Sequence, residues 1–478
     1  MRRIIKILAY VMFVLLFTGV SLRLFYPDFY LIFANKGISE NSSGNMSAKD
    51  LVIGLDSKAS ELEPTFYDMA SRNRLLQVYE PLLMPDKDLN FEPVLALNYG
   101  QMDDKTWKFR LRKGVKFHDG TDMTVDDVIA SVRRAKNHEK SQLREILSSI
   151  SGLKKISDFE FEVLLKEKDP LFLNRISTVL IFPGKFADGD KFAPMGTGPY
   201  VYVDENGSNT NFKRFESYWG DKPRYNTLTL LALDDLDKWT SAFSEGDVQL
   251  AVSVPPPLAS DIAVGPFDMV SVPSLSVTYL VFGFDSKVFE NVDMREAVKV
   301  AINRSVFSEM SGGYLHPATQ FVSGGVYGFN PDIEVPELNL NLAKQYVKAV
   351  FPFNRPSATL DLLKGDEAIG DYLKKQMSEI GIDAALNLLS REELEKKISS
   401  GESDMYVFGF RSELGDAYDF YSSAVSSGAT YNGGNYSNEI LNQKINESLS
   451  IFEPDKRLEI LKEIMTVLVD EDIYGVPL

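Results

Sequence analysis

The sequence predicts an α/β protein of more than one domain, and three observations carry that reading. The chain has 478 residues, enough for two or three domains of ordinary size. Its apolar share of 44% is ample for packed cores. From "ATLDLL" through "EAIGDYLKKQMSEIGIDAALNLL" to "REELEKKISSGESDMYVFGF" the pattern runs strand, helix, strand, helix, strand. That alternation is how an α/β layer is written in sequence.

The N-terminus reads as a membrane segment. In "MRRIIKILAYVMFVLLFTGVSLRLFY", Arg2, Arg3 and Lys6 precede an unbroken run of apolar or small residues from 7 to 22. Positive charge ahead of an apolar core orients the N-terminus to the cytoplasm. No convincing small-x-small cleavage site follows, so an uncleaved signal anchor over residues 1–34 is expected in preference to a cleaved signal peptide. It would make one pass, with the rest of the chain on the extracytoplasmic face of the cell membrane. Residues 35–49, rich in Ser, Asn and Gly, read as a polar tether.

Beyond the tether, "LVIGL" at 51–55 looks like the first strand of the globular part, and "NRLLQVYEPLL" like a helix leading into an edge segment. In "TWKFRLRKGVKFHDGTDMTVDDVIASVRRA", Trp107, Phe109 and Leu111 alternate with Lys108, Arg110 and Arg112, a half-buried strand. Asp119-Gly120 is a turn, and Thr124 is a good N-cap, followed by Asp126 and Asp127 where the helix dipole favours carboxylates. Val128, Ile129 and Val132 form the apolar helical face. His118, one of three histidines, sits at the turn with no ligand-spaced partner, so it reads as a turn residue and not as a metal ligand.

"FEFEVLLKE" is the next strand. In "MGTGPYVYV", Gly196 and Gly198 flank Thr197 ahead of an alternating strand. Without a Walker Lys-Ser/Thr and without a following helix, this is a tight turn packed against a neighbour, not a phosphate loop. "DDLDKWTSAFSEGDVQLAV" gives a helix, a Gly-Asp break and a strand. "PSLSVTYLVFGFD" is strand-rich, and "VDMREAVKVAINRSVFSEM" places Met294, Ala297, Val298, Ala301, Ile302 and Val306 on one core-facing stripe.

Several of these stretches, in this order, closely resemble the family 5 extracytoplasmic solute-binding proteins of ABC importers, the group with the oligopeptide and dipeptide receptors. The resemblance rests on "YEPLL", on "TWKFRLRKGVKFHDG" with its Thr124-to-Val128 helix start, on "MGTGPY", on "ESYWGDKP" and on the helix with Arg295, Ala297, Ala301, Ile302 and Arg304, where Asn303 replaces the family's Asp. It spans roughly residues 50 to 478. It implies an α/β, two-lobed, periplasmic-binding-protein-like fold with an extra subdomain on the first lobe, here preceded by the N-terminal membrane helix. On that pattern the first lobe is 50–84 and 186–272 with 470–478 returning, the extra subdomain is 85–185 and the second lobe is 273–469. The lobes would close about crossovers near 271–279 and 470–474. The family's receptors usually continue past the point equivalent to Leu478.

The implied function is a membrane-anchored receptor that binds oligopeptides in a cleft between two lobes and delivers them to the permease subunits of an ABC importer. No catalysis, cofactor or metal is implied. In peptide-binding relatives an Asp shortly after a strand ending in Gly-Trp meets the ligand's free ammonium. Here the strand ends at Phe410 in place of the Trp, and the gap to Asp416 is longer. Asp416 is thus expected as the ammonium partner, Phe410 and Tyr279 as walls and Arg411 as a partner for a carboxylate. Glu413 and Asp419 compete with Asp416, and an Asp that merely caps its loop is the plainer alternative.

The remaining chemistry is sparse. A net charge of −17 argues against a nucleic-acid partner, which needs a basic face. With no cysteine, disulfides, thiolate metal sites and cysteine nucleophiles are excluded. No G-x-S-x-G elbow, H-E-x-x-H or Walker A motif stands out. Two other readings remain open: a receptor-like chaperone or scaffold without transport, and an anchored hydrolase using a carboxylate pair. Ligand-dependent stabilisation without turnover separates the receptor from both.

Overall fold

A computed structural model describes residues 32–35, 50–86, 89–189, 192–255, 258–259, 262, 267–272 and 274–478. These fall into two compact units, the first ending at Val272 and the second at Leu478. Most of the expected anchor and tether, residues 1–31 and 36–49, lies outside the described residues. Residues 32–35, at the junction of the two, form a strand, so "LVIGL" is preceded by one more strand than the sequence suggests. Among the described residues no helix is long and apolar enough to cross a membrane.

The first unit holds strands β1 (Ile32–Asn35), β2 (Asp50–Leu55), β3 (Ala96–Asp103), β4 (Thr106–Leu111), β5 (Ile150–Ser157), β6 (Glu160–Leu165), β7 (Tyr200–Asn206), β8 (Asn209–Arg214), β9 (Thr227–Ala232), β10 (Leu250–Ala251) and β11 (Phe267–Val270). Seven of them make one sheet in the order β7-β8-β9-β2-β10-β1-β11. β2 lies at its centre, parallel to β9 and β10. Its Leu51, Ile53 and Leu55 are buried with Leu228, Leu230 and Tyr200. Helix α1 (Met69–Val78) is capped by Asp68, whose carboxylate accepts the Ser71 N–H, and adds Leu75 and Val78 to that core.

The same unit has a second, antiparallel sheet, β3-β4-β6-β5, with its own core. Phe109 of β4 stacks on Phe161 of β6 at 5.3 Å. Helix α2 (Val125–Asn137) begins with a Thr124–Asp127 capping box and sends Val128 and Val132 into this core. Its Ala130 packs in the first core. The strand, turn and helix expected over 106–135 are therefore all present, as is helix α3 (Leu236–Glu245), ended by the left-handed Gly246.

The second unit is built on β12 (Ser276–Phe282), β13 (Ser357–Leu363), β14 (Asp383–Leu389), β15 (Met405–Arg411) and β16 (Gly475–Pro477), in the order β14-β13-β15-β12-β16. β13 is parallel to both β14 and β15, and parallel neighbours need crossover connections, which helices supply here. Those connections are α6 (Glu367–Ile380) and α7 (Arg391–Ser400), after α4 (Val292–Ala301) and α5 (Leu340–Val350). Met294, Ala297, Val298, Ala301 and Ile302 are buried as expected, while Val306 is only half-buried.

One expectation is corrected here. Residues 470–478 do not return to the first lobe. β16 pairs antiparallel with β12, Gly475 opposite Val281 and Pro477 opposite Tyr279. Ile473, Tyr474 and Val476 are fully buried in the second unit's cores, which fixes the segment there. Three further helices, α8 (Ala417–Phe420), α9 (Glu439–Ser448) and α10 (Pro454–Thr466), cover the other face of this sheet.

Candidate functional site

The candidate residues gather at the end of β15. The strand alternates Tyr406 and Phe408 toward one core and Met405 and Val407 toward the other. It ends at Arg411, and the chain turns through residues 412–415 into α8. Gly415 sits at φ 66°, a left-handed position that favours glycine. Ser412 staples the turn: its Oγ accepts the Asp416 N–H at 3.1 Å and donates to the Asp416 carbonyl at 3.2 Å. Residue 327 lies alongside, with the Tyr327 N–H on Gly415 O at 3.0 Å and the Ala417 N–H on Tyr327 O at 2.8 Å.

Asp416 caps α8 through the Tyr418 N–H at 2.9 Å. Its carboxylate also takes both arms of the Arg457 guanidinium, at 2.6 and 2.9 Å, and it is 4% exposed. At that exposure the carboxylate is turned to Arg457 and not to solvent. The plainer of the two sequence readings, an Asp that caps its loop, describes what is seen. Arg457 itself, on α10, is not signalled by the sequence pattern at all.

Arg411 meets a carboxylate, but within its own loop: its guanidinium donates to Glu413. Both side chains stay in reach of solvent, at 17% and 30% exposure. Asp419 lies on α8 beneath them, where its Oδ2 accepts the N–H groups of Glu413 at 2.6 Å and Leu414 at 3.1 Å. Burial pushes this carboxyl up to about 7, with the neighbouring Glu413 and Asp416 charges adding to the rise.

The two aromatic candidates part company. Phe410 is half-buried and meets the Phe420 ring edge-on at 5.3 Å. Tyr279 is 1% exposed and enclosed by Phe321, Phe408 and Phe420 at 5.4, 6.5 and 5.6 Å. It is a core residue, not a wall, because position 279 is one of the inward-facing alternates of a central strand. Its hydroxyl has no hydrogen-bond partner among the described residues.

The first unit explains its own motifs. Glu80 is buried and accepts three hydrogen bonds, from Thr197 Oγ1 at 2.9 Å, Tyr218 OH at 2.8 Å and Trp219 Nε1 at 2.8 Å. "YEP", "GTGPY" and "ESYW" thus meet on one carboxylate. Gly196 and Gly198 are required by contact, since a Cβ there would lie 2.2 Å from Val78 O and 2.7 Å from Gln77 O. His118 ties the preceding turn to the same loop: Nε2–H donates to Gly198 O at 3.0 Å, and Nδ1 faces the Gly196 N–H at 3.5 Å. Burial pushes its pKa down to about 4, so it is neutral at pH 7. No group of three or more His, Asp or Glu able to hold a metal occurs among the described residues.

Comparison with known proteins agrees with this architecture. The glutathione-binding protein GsiB of Salmonella choleraesuis is 25% identical over 455 residues, covering 89% of this chain and 88% of that protein. The solved structure of CtaP, an ABC transporter substrate-binding protein from Listeria monocytogenes, superposes with a TM-score of 0.81 at 22% identity, over 90% of this chain and 92% of that one. That of the oligopeptide-binding protein AppA from Bacillus subtilis, in complex with a nonapeptide, gives 0.76 at 22% identity over the same shares. These likenesses establish a two-lobed, periplasmic-binding-protein-like α/β fold. The model of the bacterial extracellular solute-binding proteins, family 5, matches residues 90–432, most of the chain and the whole of the β15–α8 turn. The chain belongs to that family, the solute-binding proteins that serve ABC importers.

Proposed function

We propose that this protein is a membrane-anchored extracytoplasmic receptor that captures a peptide or a peptide-like solute and passes it to the permease of an ABC importer. The single observation that carries the ligand class is the β15–α8 turn, which lies inside the family match and presents a partly exposed acid, Glu413, fixed by Arg411. A carboxylate held in place at a strand end suits a peptide's free ammonium, while the guanidinium beside it suits a ligand carboxylate. Relatives named for glutathione and for oligopeptides support the same class. With Asp416 buried against Arg457, the more exposed Glu413 takes over the ammonium role, and Phe410 supplies apolar surface beside it. The anchor is supported by Arg2, Arg3 and Lys6 ahead of the apolar run.

The test is native mass spectrometry of the full-length protein released from detergent, followed by identification of any retained ligand. A peptide or thiol peptide is the expected finding. Calorimetry with its free and N-acetylated forms, and with Glu413→Gln, then examines the ammonium contact. A retained sugar or metal chelate, or N-acetylation without effect, overturns the ligand class. Recovery of a soluble mature form beginning near residue 35 overturns the anchor.

A further inference from the structure

β14 is the outer strand of the second unit's sheet, with β13 as its neighbour on the inner side. It keeps an unbroken parallel register with β13 from Asp383 to Leu389, and its one charge, Asp383, stands at its start. The Asp383 N–H donates to Pro356 O and the Lys364 N–H to Leu389 O, both at 2.9 Å. Bonding to a neighbour alternates along a strand, so residues 383, 385, 387 and 389 face β13, while Ala384, Leu386 and Leu388 turn their N–H and C=O groups outward. Among the described residues no hydrogen bond from another element reaches those three. An open edge invites pairing, and proteins blunt it with bulges, charges, proline or brevity. The other outer strands of the three large sheets are blunted in these ways. β3 and β5 each shift register twice, and β5 carries Lys154 and Lys155. β7 shifts register once and carries Asp204 and Glu205. β11 has four residues, one of them Asp268, and β16 has three, one of them Pro477. From Ala384 to Leu389, β14 has no such device.

We propose that β14 pairs antiparallel with β14 of a second copy of this chain, about a two-fold axis at Leu386, so that the two sheets join. The open residues are symmetric about that point. Leu386 exchanges both main-chain bonds with its own copy, and Ala384 exchanges both with Leu388 of the second copy. Every open N–H and C=O of the three is then satisfied. Side-chain sizes match too: on the face shared with α5 and α6 the small Ala384 lies against Leu388, and on the other face Ala385 lies against Asn387. Asp383 falls opposite Leu389, so no like charges meet across the seam. This favours a second copy over a charged peptide, which would find nothing on the strand to pair with. The net charge of −17 opposes association from a distance, so the dimer tightens as salt is added. The pairing leaves the β15–α8 turn aside, with β13 standing between β14 and β15.

A chain without cysteine makes the test clean. Opposite residues in a bonded antiparallel pair have Cα atoms about 5.5 Å apart, within the span of a disulfide. Full-length Leu386→Cys protein, oxidised in detergent, is expected to give a covalent dimer, and Ser399→Cys, at an exposed position of α7, to give none. Light scattering of the wild type should show a mass that doubles with concentration, and does so earlier in higher salt. Ala385→Lys, at an exposed position of the strand, sets like charges diagonally across the seam and should weaken the dimer about tenfold at low salt. A wild type that stays monomeric at every concentration overturns the proposal and leaves the edge to an extended peptide. A wild-type dimer that Ala385→Lys does not weaken, or that a folded Leu386→Cys protein does not link, lies elsewhere on the chain and overturns it too. The wild-type and Ala385→Lys measurements decide the matter even where Leu386→Cys folds poorly.

Discussion

Arg457 reaches from α10 to close a two-bond clamp on Asp416, Nη1 to Oδ2 at 2.6 Å and Nη2 to Oδ1 at 2.9 Å. Both ends are buried, the acid at 4% and the base at 5% exposure. The Arg457 Nε also donates to Ser448 O at 3.0 Å, so one side chain ties α10 to the end of α9 and to the cap of α8. Removing one partner strands a desolvated charge. Asp416→Ala is expected to destabilise the protein by about 3–5 kcal/mol, and Arg457→Ala by a similar amount. Replacing both with apolar residues of similar size should cost much less, because no bare charge is left. Denaturant unfolding of the single and double variants measures this. An Asp416→Ala protein as stable as the wild type would remove Asp416 from the scaffold and return it to the ligand.

The "GTGPY" turn makes a second prediction. A methyl group at residue 196 would lie 2.2 Å from Val78 O and 2.9 Å from Tyr79 Cα, and both are main-chain atoms that cannot swing aside. Gly196→Ala should therefore cost about 3 kcal/mol, at the upper end of overpacking penalties. Gly114→Ala is the contrast in space: nothing lies within 4 Å of its Cβ, and only its φ of 78° opposes the change. Thermal unfolding compares them. Trp219, bonded to Glu80 beside the turn, gives a local fluorescence signal that should shift with Gly196→Ala and stay unchanged with Gly114→Ala.

Local order was largely legible in the sequence. The alternation at Trp107, Phe109 and Leu111, the Thr124–Asp127 cap and the strand-helix alternation over β13–β15 each write a short-range rule, and each element is present. What the sequence conceals is pairing across distance. Nothing near Asp416 signals Arg457, because the two meet only once α10 has packed. Tyr279 follows the same logic: a strand pattern tells that alternate residues face inward, not which layer covers them. The C-terminal stretch misled because a short strand can add to whichever sheet edge is open, and three residues of pattern do not choose between edges. Gly196 and Gly198 suggested a close approach, and their partner, the end of α1, became visible only in the fold.

His118 gives a pH prediction. Burial holds its pKa near 4, below the unfolded value of 6.5. Between those values the unfolded chain takes up a proton that the native state refuses. Stability therefore falls as pH drops from about 6.5 to about 4, by about 3 kcal/mol in total from this residue. Above 6.5 the contribution is constant. His118→Gln can still donate to Gly198 O and does not titrate. The stability difference between wild type and variant, followed by denaturant unfolding at pH 7 and pH 4, should shift in the variant's favour by that amount. A difference that does not vary with pH would mean that the ring is solvated in the native state.

Tyr279 separates a core role from a ligand-wall role. Its ring lies among Phe321, Phe408 and Phe420, and its hydroxyl is buried with no hydrogen-bond partner among the described residues. An unsatisfied buried hydroxyl costs about 1–3 kcal/mol of desolvation. Burial also drives the phenol's pKa well above its usual value, so the ring stays neutral at any working pH. Tyr279→Phe keeps the three ring contacts and removes the stranded oxygen. It should leave the protein as stable as the wild type or more stable by about 1 kcal/mol. Tyr279→Ala should lose about 3–5 kcal/mol, the usual penalty for emptying an aromatic site in a core. Solute affinity, measured by calorimetry on the folded Phe variant, should not change, because the missing atom faces the core. A Phe variant that folds normally but binds its solute tenfold more weakly would show that the hydroxyl reaches the ligand, and would restore Tyr279 to the site.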